Sequence, residues 1–156
     1  MDTASATLPG MASPTTPLQS DYELFSGLFI YPQNNSYAKQ AEDLDNHLAG
    51  ILPEAATEMK PFIEFITHST LQEIQELFLR SFDVQAITTL DIGFTLFGED
   101  YKRGQLLVNM NREHREAGND CHTELSDHLP NILRLLPKMK DETIRNEIVL
   151  RLLIPA

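Results

Sequence analysis

One cysteine and the histidines around it suggest metal or thiol chemistry. Cys121 is followed directly by His122, with His114 upstream and His128 downstream. Structural zinc sites use such ligands, but their ligand spacings differ from this one. A catalytic thiol needs a base that a third group orients, and sequence neighbours rarely supply that geometry. We interpret the segment as a loop that happens to hold these residues, with a metal-binding helical bundle as an alternative.

A second segment has the glycine spacing of a phosphate-binding loop. Gly93 and Gly98 lie five residues apart, but Glu99 occupies the position where such a loop requires lysine. A carboxylate there would repel phosphate. The chain also lacks the paired Glu-x-x-His motif of di-iron helical bundles. We therefore expect no catalytic residue, no metal and no cofactor, and we predict that the protein is not an enzyme.

The segment from Glu124 to Pro130 places three polar side chains, Glu124, Asp127 and His128, within seven positions. One interpretation is a helix start, in which Asp127 caps the helix and Pro130 lies in its first turn. The other is a loop that binds a basic or hydrogen-bonding peptide through its carboxylates and imidazole. The residues alone leave both interpretations open.

Acidic residues outnumber basic ones by 23 to 12, which gives a formal charge of -11. Such a surface repels nucleic-acid backbones and anionic lipids and attracts basic peptides. The first basic residue is Lys39, so the N-terminal segment lacks the positive charge that a targeting signal needs, and we expect no such signal. The single cysteine cannot form an internal disulfide. We expect a cytoplasmic protein with no nucleic-acid partner and no stable membrane insertion.

The pattern of apolar residues predicts an all-α domain over residues 20–156, behind a disordered tail over residues 1–19 that is rich in Thr, Ser, Ala and Pro. Ser36 is predicted to cap a helix, and Thr70 with Glu73 forms the pattern of a capping box. The predicted helix that begins at Ser36 has one apolar stripe. Its residues are Tyr37, Ala41, Leu44, Leu48 and Ile51.

Two segments leave alternatives open. Residues 84–97 alternate like a strand but also fit a helix, and we favour the helix because every neighbouring segment is helical. The last predicted helix, capped by Asp141, is still apolar at Leu152, Leu153 and Ile154. Such a face must pack on the bundle, on a second copy, or on further chain.

Four motifs resemble those of the redox enzyme maturation chaperones, a family that includes the nitrate reductase assembly chaperones. The segment Glu124–Pro130 resembles the family's acidic-x-Pro-Asp-His-Leu signature. The segment Leu28–Pro32 resembles its opening Leu-x-x-Tyr-Pro motif. The segment Leu96–Gln105 is similar to the acidic turn followed by Arg-Gly in nitrate reductase chaperones, and Ala117-Gly118 then closes the helix. The similarity runs from about Asp21 to Ala156.

Two departures from the family pattern are visible. Ser126 stands where the signature usually has proline, so we expect a less rigid loop. The chain also ends where family members usually continue with further helices. We therefore expect a single bundle of about eight helices, with the family's last helices missing or exchanged between protomers.

The resemblance implies a chaperone that binds the N-terminal leader of the apo catalytic subunit of a molybdoenzyme, of the nitrate reductase type. It would assist insertion of the molybdenum cofactor before membrane attachment or export, and would be a monomer or a dimer, including a helix-exchanged one. On these grounds the predicted leader-binding residues are Glu124, Asp127, His128, Pro130, Arg103 and Gly104. An acidic helical adaptor with an unrelated partner is the alternative.

Overall fold

A computed structural model describes residues 19–84 and 88–156, so most of the predicted tail and residues 85–87 of the ambiguous segment lie outside the described residues. The described part contains eight α-helices and no strand, which confirms the all-α prediction. The helices are α1 (Gln19–Leu28), α2 (Ser36–Ile51), α3 (Pro53–His68), α4 (Leu71–Phe82), α5 (Ile92–Phe97), α6 (Tyr101–Glu116), α7 (Leu129–Leu135) and α8 (Glu142–Ile148). A 3-10 turn, Leu136–Lys138, extends α7, and a π-helical turn, Val149–Leu153, extends α8.

Side-chain caps start several of these helices. The predicted capping box of α4 is present, with Thr70 accepting from the Glu73 amide and Glu73 accepting from the Thr70 amide. Asp141 accepts from two amides at the start of α8, as predicted. The prediction for α2 was wrong by one position, because Asn35 is its N-cap and Ser36 is its first residue. The Ser36 amide instead donates to the side chain of Asn34.

The first of two hydrophobic clusters is built by α1 to α4. Four residues of the predicted α2 stripe are buried in it, whereas the fifth, Ile51, is 52% exposed because it lies in the last turn. Tyr37 also donates a buried 2.7 Å hydrogen bond from Oη to the carbonyl of Leu28, which ties α2 to the end of α1. Burial raises the pKa of Tyr37 to about 12, so the donor stays protonated at neutral pH.

The second cluster is built by α5 to α8 with the turns that follow α7 and α8. Helix α1 joins the clusters, since Leu24 and Phe25 pack on the first and Tyr22 packs on the second. Of the C-terminal apolar residues, Leu152 is buried and Leu153 packs on this cluster, whereas Ile154 is exposed. The bundle therefore covers much of that face itself.

Within the described ranges no helix is both long and apolar enough to cross a bilayer.

Candidate functional site

A short backbone pairing brings the start of α5 beside the start of α7. The amide of Ile92 donates to the carbonyl of Asp127 over 3.0 Å, and the amide of Leu129 donates to the carbonyl of Leu90 over 2.8 Å. Asp91 and His128 are thereby paired as an isolated antiparallel bridge. This pairing holds the side chains of the signature segment against α5 and α6.

Four side chains meet there, and we call Asp91, Arg103, Asp127 and His128 the Arg103 cluster. Arg103 donates from Nε to Oδ2 of Asp127 and from a terminal nitrogen to Oδ2 of Asp91, each over 3.0 Å. His128 donates from Nδ1 to the other oxygen of Asp91 over 3.1 Å. One guanidinium thus joins two carboxylates, and one of these orients the imidazole.

The cluster has a buried floor and a partly exposed edge. The side chain of Asp127 is 0% exposed, and its Oδ1 is buried with no hydrogen-bond partner in the described structure. Asp91, Arg103 and His128 each keep part of their surface in solvent. The hydrogen bond to Asp127, together with the charges of both carboxylates, raises the pKa of Arg103 although burial opposes this, so the cation persists.

Gly93 allows α5 to approach this floor. A Cβ atom at this position would lie 2.5 Å from Oδ2 of Asp127, 3.0 Å from Leu106 and 3.2 Å from Arg103. The glycine spacing that resembles a phosphate loop therefore has a packing explanation at its first position. At its second position, Gly98 ends α5 with a positive φ of 59°.

Phe94 extends the cluster towards solvent. Its ring lies under the guanidinium of Arg103, with 5.4 Å between Cζ and the ring centroid, and the residue is 42% exposed. The accessible edge therefore offers a carboxylate, an imidazole and an aromatic face. Such a combination can accept hydrogen bonds from a peptide and cover an apolar side chain.

A buried polar network supports the loop from the side of α6. Nδ1 of His114 accepts a 2.9 Å hydrogen bond from the side-chain amide of Asn119, so its Nε2 carries the proton and donates to the carbonyl of Ser126 over 2.9 Å. Asn131 donates to the carbonyl of Leu125 over 3.0 Å. Burial lowers the pKa of His114 despite the bond to Ser126, so the imidazole is neutral at pH 7.

The surroundings of Ser126 show what holds this position in place of a proline, while the lower rigidity expected there stays a prediction. We expected a less rigid loop because serine replaces the family's proline. The structure shows that Ser126 is buried and donates from Oγ to the carbonyl of Leu107 over 3.1 Å. Its own carbonyl is bonded to His114. Two hydrogen bonds thus restrain the backbone at the position where the family's signature has a proline ring.

The predicted site residues occupy different depths. Arg103, Asp127 and His128 come together in the cluster, Pro130 is buried behind them, and Glu124 and Gly104 are exposed. The predicted cap was wrong: His128 is the N-cap residue of α7, and the Asp127 side chain binds Arg103 instead. Since Asp127 has no exposed side-chain area, it can act on a peptide only through Arg103 and its neighbours.

Sequence reasoning missed Asp91, Gly93 and Phe94. Asp91 lies 12 residues from Arg103 and 37 residues from His128, so no local spacing connects them. The one available signal was Gly93, a helix-weakening residue inside an apolar segment, which often marks a close backbone approach.

The cysteine and histidines considered as metal ligands have other environments. His114 is used in the buried network, and His128 is bonded to Asp91. His122 is exposed, with a positive φ of 52°, and burial raises the pKa of the Cys121 thiol. In residues 19–84 and 88–156, no group of three or more His, Cys, Asp or Glu side chains could hold a metal ion.

No protein-family model matches the chain, and no curated protein matches it.

Proposed function

We propose that this protein is a chaperone that binds the N-terminal leader of an apo molybdoenzyme catalytic subunit, of the nitrate reductase type. It assists insertion of the molybdenum cofactor and assembly before membrane attachment or export. The observation that carries the proposal is the Arg103 cluster, in which the signature segment that resembles these chaperones meets the Arg-Gly segment that does so as well.

The cluster supports this role because some of its residues hold the loop in place and others are accessible to a peptide. The ion pair between Arg103 and the buried Asp127 fixes the loop on α6, while Asp91 and His128 present polar atoms at the surface. Phe94 adds an exposed ring beside them. A leader helix has apolar side chains and unpaired amides at its N-terminus, and such an edge can accept both.

The distribution of charge supports attraction of a basic leader. Residues 19–84 carry eleven acidic and three basic side chains, whereas residues 88–156 carry eleven acidic and nine basic ones. The negative surplus therefore lies mainly on α1 to α4, away in sequence from the cluster. We assign to it the long-range attraction of the client, and to the cluster the contact that selects it.

The test is a tagged pull-down from the native host grown anaerobically with nitrate, followed by mass spectrometry. We expect recovery of an apo molybdoenzyme catalytic subunit. A synthetic peptide of that subunit's first residues should then bind the purified chaperone in fluorescence anisotropy. The double variant Glu124→Gln/His128→Asn should lower the affinity by about tenfold or more, since it removes the charge of one predicted leader-binding residue and the imidazole at the edge.

The matched control is Glu147→Gln on α8. Glu147 is exposed, and its one ion pair within residues 19–84 and 88–156 is with the exposed Arg151, so its loss should leave both fold and affinity unchanged. Asp127 is excluded from the variants because its burial would confuse loss of binding with loss of folding. Recovery of unrelated proteins alone, in cells that make the enzyme, would favour the helical adaptor instead.

A further inference from the structure

Two cations at the end of α7 have no carboxylate partner. Arg134 donates from a terminal nitrogen to the side-chain oxygen of Asn131 over 2.6 Å. Lys138, in the 3-10 turn that extends α7, donates from Nζ to the side-chain oxygen of Asn119 over 2.7 Å. Within the described part of the chain neither cation forms an ion pair. Since acidic residues outnumber basic ones by 23 to 12, this lack of a carboxylate needs an explanation.

These two side chains, which we call the cation pair, are held at one place. Their asparagine partners are both buried, and Asn119 donates from its side chain to the carbonyl of Asn131 over 3.1 Å. Both cations also act on the same imidazole. Burial lowers the pKa of His114, and the charges of Arg134 and Lys138 lower it further. The fold therefore concentrates positive charge beside the loop that follows α6.

Capping of α6 does not account for the cation pair. A helix C-terminus carries partial negative charge that cations can offset. The backbone amides of Ala117, Gly118 and Asn119, however, already donate to three of the last four carbonyls of α6. The acidic residue of the same loop, Asp120, accepts from the amide of His122 over 2.8 Å and lies 3.3 Å from its ring nitrogen. The cation pair therefore neutralises neither an open helix end nor a carboxylate.

The guanidinium of Arg134 is partly buried, and the fold does not satisfy it. Asn131 accepts from one terminal nitrogen, whereas Nε is buried without a hydrogen-bond partner in the described structure. A partly buried charge is costly unless an opposite charge neutralises it. Lys138 is exposed and Arg134 is partly exposed, so an anion can approach both from solvent. A bound anion would supply the negative charge that the cation pair lacks.

We propose that the cation pair is a binding site for the phosphate group of a small molecule. A guanidinium and an ammonium held together favour an anion with two negative charges, and the planar guanidinium matches the oxygen geometry of phosphate. A carboxylate has one charge and gains less from the second cation. Arg103 is different, because two carboxylates of the chain already neutralise it. The proposal does not depend on leader binding at the Arg103 cluster.

The first test is a titration of the isotope-labelled full chain with inorganic phosphate at constant ionic strength, followed by NMR. We expect saturable shifts of the side-chain amides of Asn119 and Asn131. Lys138→Gln should weaken phosphate binding by about tenfold, because it keeps a donor but removes one of the two charges. The matched control is Lys140→Gln, which removes the same charge from an exposed residue two positions away and should bind phosphate as the unchanged protein does.

The second test compares anions and uses stability as an independent measure. Glycerol phosphate should bind about as tightly as inorganic phosphate, because the site is open to solvent at Lys138, whereas acetate should bind about tenfold more weakly. Phosphate should also raise the midpoint of urea unfolding, since it binds the folded state alone. Phosphate stabilises many proteins without a site. The rise must therefore be smaller in Lys138→Gln than in Lys140→Gln at the same phosphate concentration.

Three outcomes would overturn the proposal. One is the absence of any saturable shift up to about 50 mM phosphate, a concentration at which even a weak site is occupied. Another is an equal loss of affinity in Lys138→Gln and Lys140→Gln, which would show that phosphate responds to net charge and not to a site. The third is acetate that binds as tightly as phosphate, which would make the cation pair a contact for an acidic side chain of a partner.

Discussion

Nε of Arg103 lies 3.0 Å from Oδ2 of Asp127, a carboxylate with no exposed side-chain area, whereas Arg103 itself reaches the surface. The guanidinium therefore compensates a charge that the fold has removed from water. Through the same guanidinium, the buried carboxylate is connected to Asp91 and to the exposed edge of the cluster.

The first prediction concerns this pair. Arg103→Leu should lower the free energy of unfolding by about 3–5 kcal/mol, because it leaves a buried carboxylate uncompensated. Adding Asp127→Asn should recover part of that loss, since the neutral amide is cheaper to bury. Urea unfolding of both single variants and the double variant measures the coupling. Strict additivity of the two losses would show that the pair is not coupled.

The second prediction compares Gly93 in α5 with Gly104 in α6. Gly93→Ala should destabilise the protein by about 1–3 kcal/mol, because its Cβ would collide with Asp127, whose carboxylate cannot move without losing Arg103. Gly104→Ala should stabilise it by about 0.5–1 kcal/mol, because the new methyl group meets open space. Urea unfolding in dilute solution should show opposite signs. Equal effects would contradict the packing assigned to Gly93.

The third prediction is a pH dependence caused by His114. Burial holds its folded-state pKa below the ordinary value of 6.5, so the unfolded chain binds a proton more readily. The stability that the neutral ring contributes is therefore complete above about pH 6.5 and is lost as the pH falls through the folded-state pKa. Urea unfolding of the unchanged protein at about pH 7.5 and about pH 5.5 should show this loss.

His114→Gln is the matched variant for that measurement. Its amide oxygen can accept from Asn119 and its nitrogen can donate to the carbonyl of Ser126, but it does not titrate. The loss of stability between the two pH values should therefore be smaller in this variant. An unchanged loss would assign the pH dependence to other groups.

Most helices were predicted well because their signals are local, whereas of the helix favoured over residues 84–97 only Ile92–Phe97 is helical among the described residues. The stripe of α2 and the capping box of α4 depend on residues three or four positions apart, and both were found. The cap of α7 was assigned wrongly because Asp127 is a good capping residue by local rules, whereas in the fold a long-range contact with Arg103 takes its carboxylate. Tertiary pairing thus overrode a correct local preference.

The same distinction explains the candidate site. Arg103, Asp127 and His128 were named from motifs, but Asp91 joins them across chain distances at which no periodicity operates.

The fourth prediction separates binding from stability at Asp91, and it rests on the proposed function. Asp91→Asn keeps one oxygen that can accept a hydrogen bond from Arg103 or from His128. It removes the negative charge that attracts both side chains. Because Asp91 is partly exposed, the free energy of unfolding should fall by only about 1 kcal/mol. Affinity for the leader peptide should fall by about tenfold, since one amide oxygen cannot hold both Arg103 and His128 as the two carboxylate oxygens do, and the imidazole is oriented less firmly.

Anisotropy titration and urea unfolding of the same Asp91→Asn preparation give the two quantities. A loss of affinity with a nearly unchanged unfolding midpoint supports a binding edge built on a separate structural pair. If the unfolding midpoint falls as far as in Arg103→Leu, Asp91 belongs to the buried floor, and the edge must be sought at His128 and Phe94. If neither quantity changes, the leader contacts another surface, and the acidic helices α2 to α4 are the next to be tested.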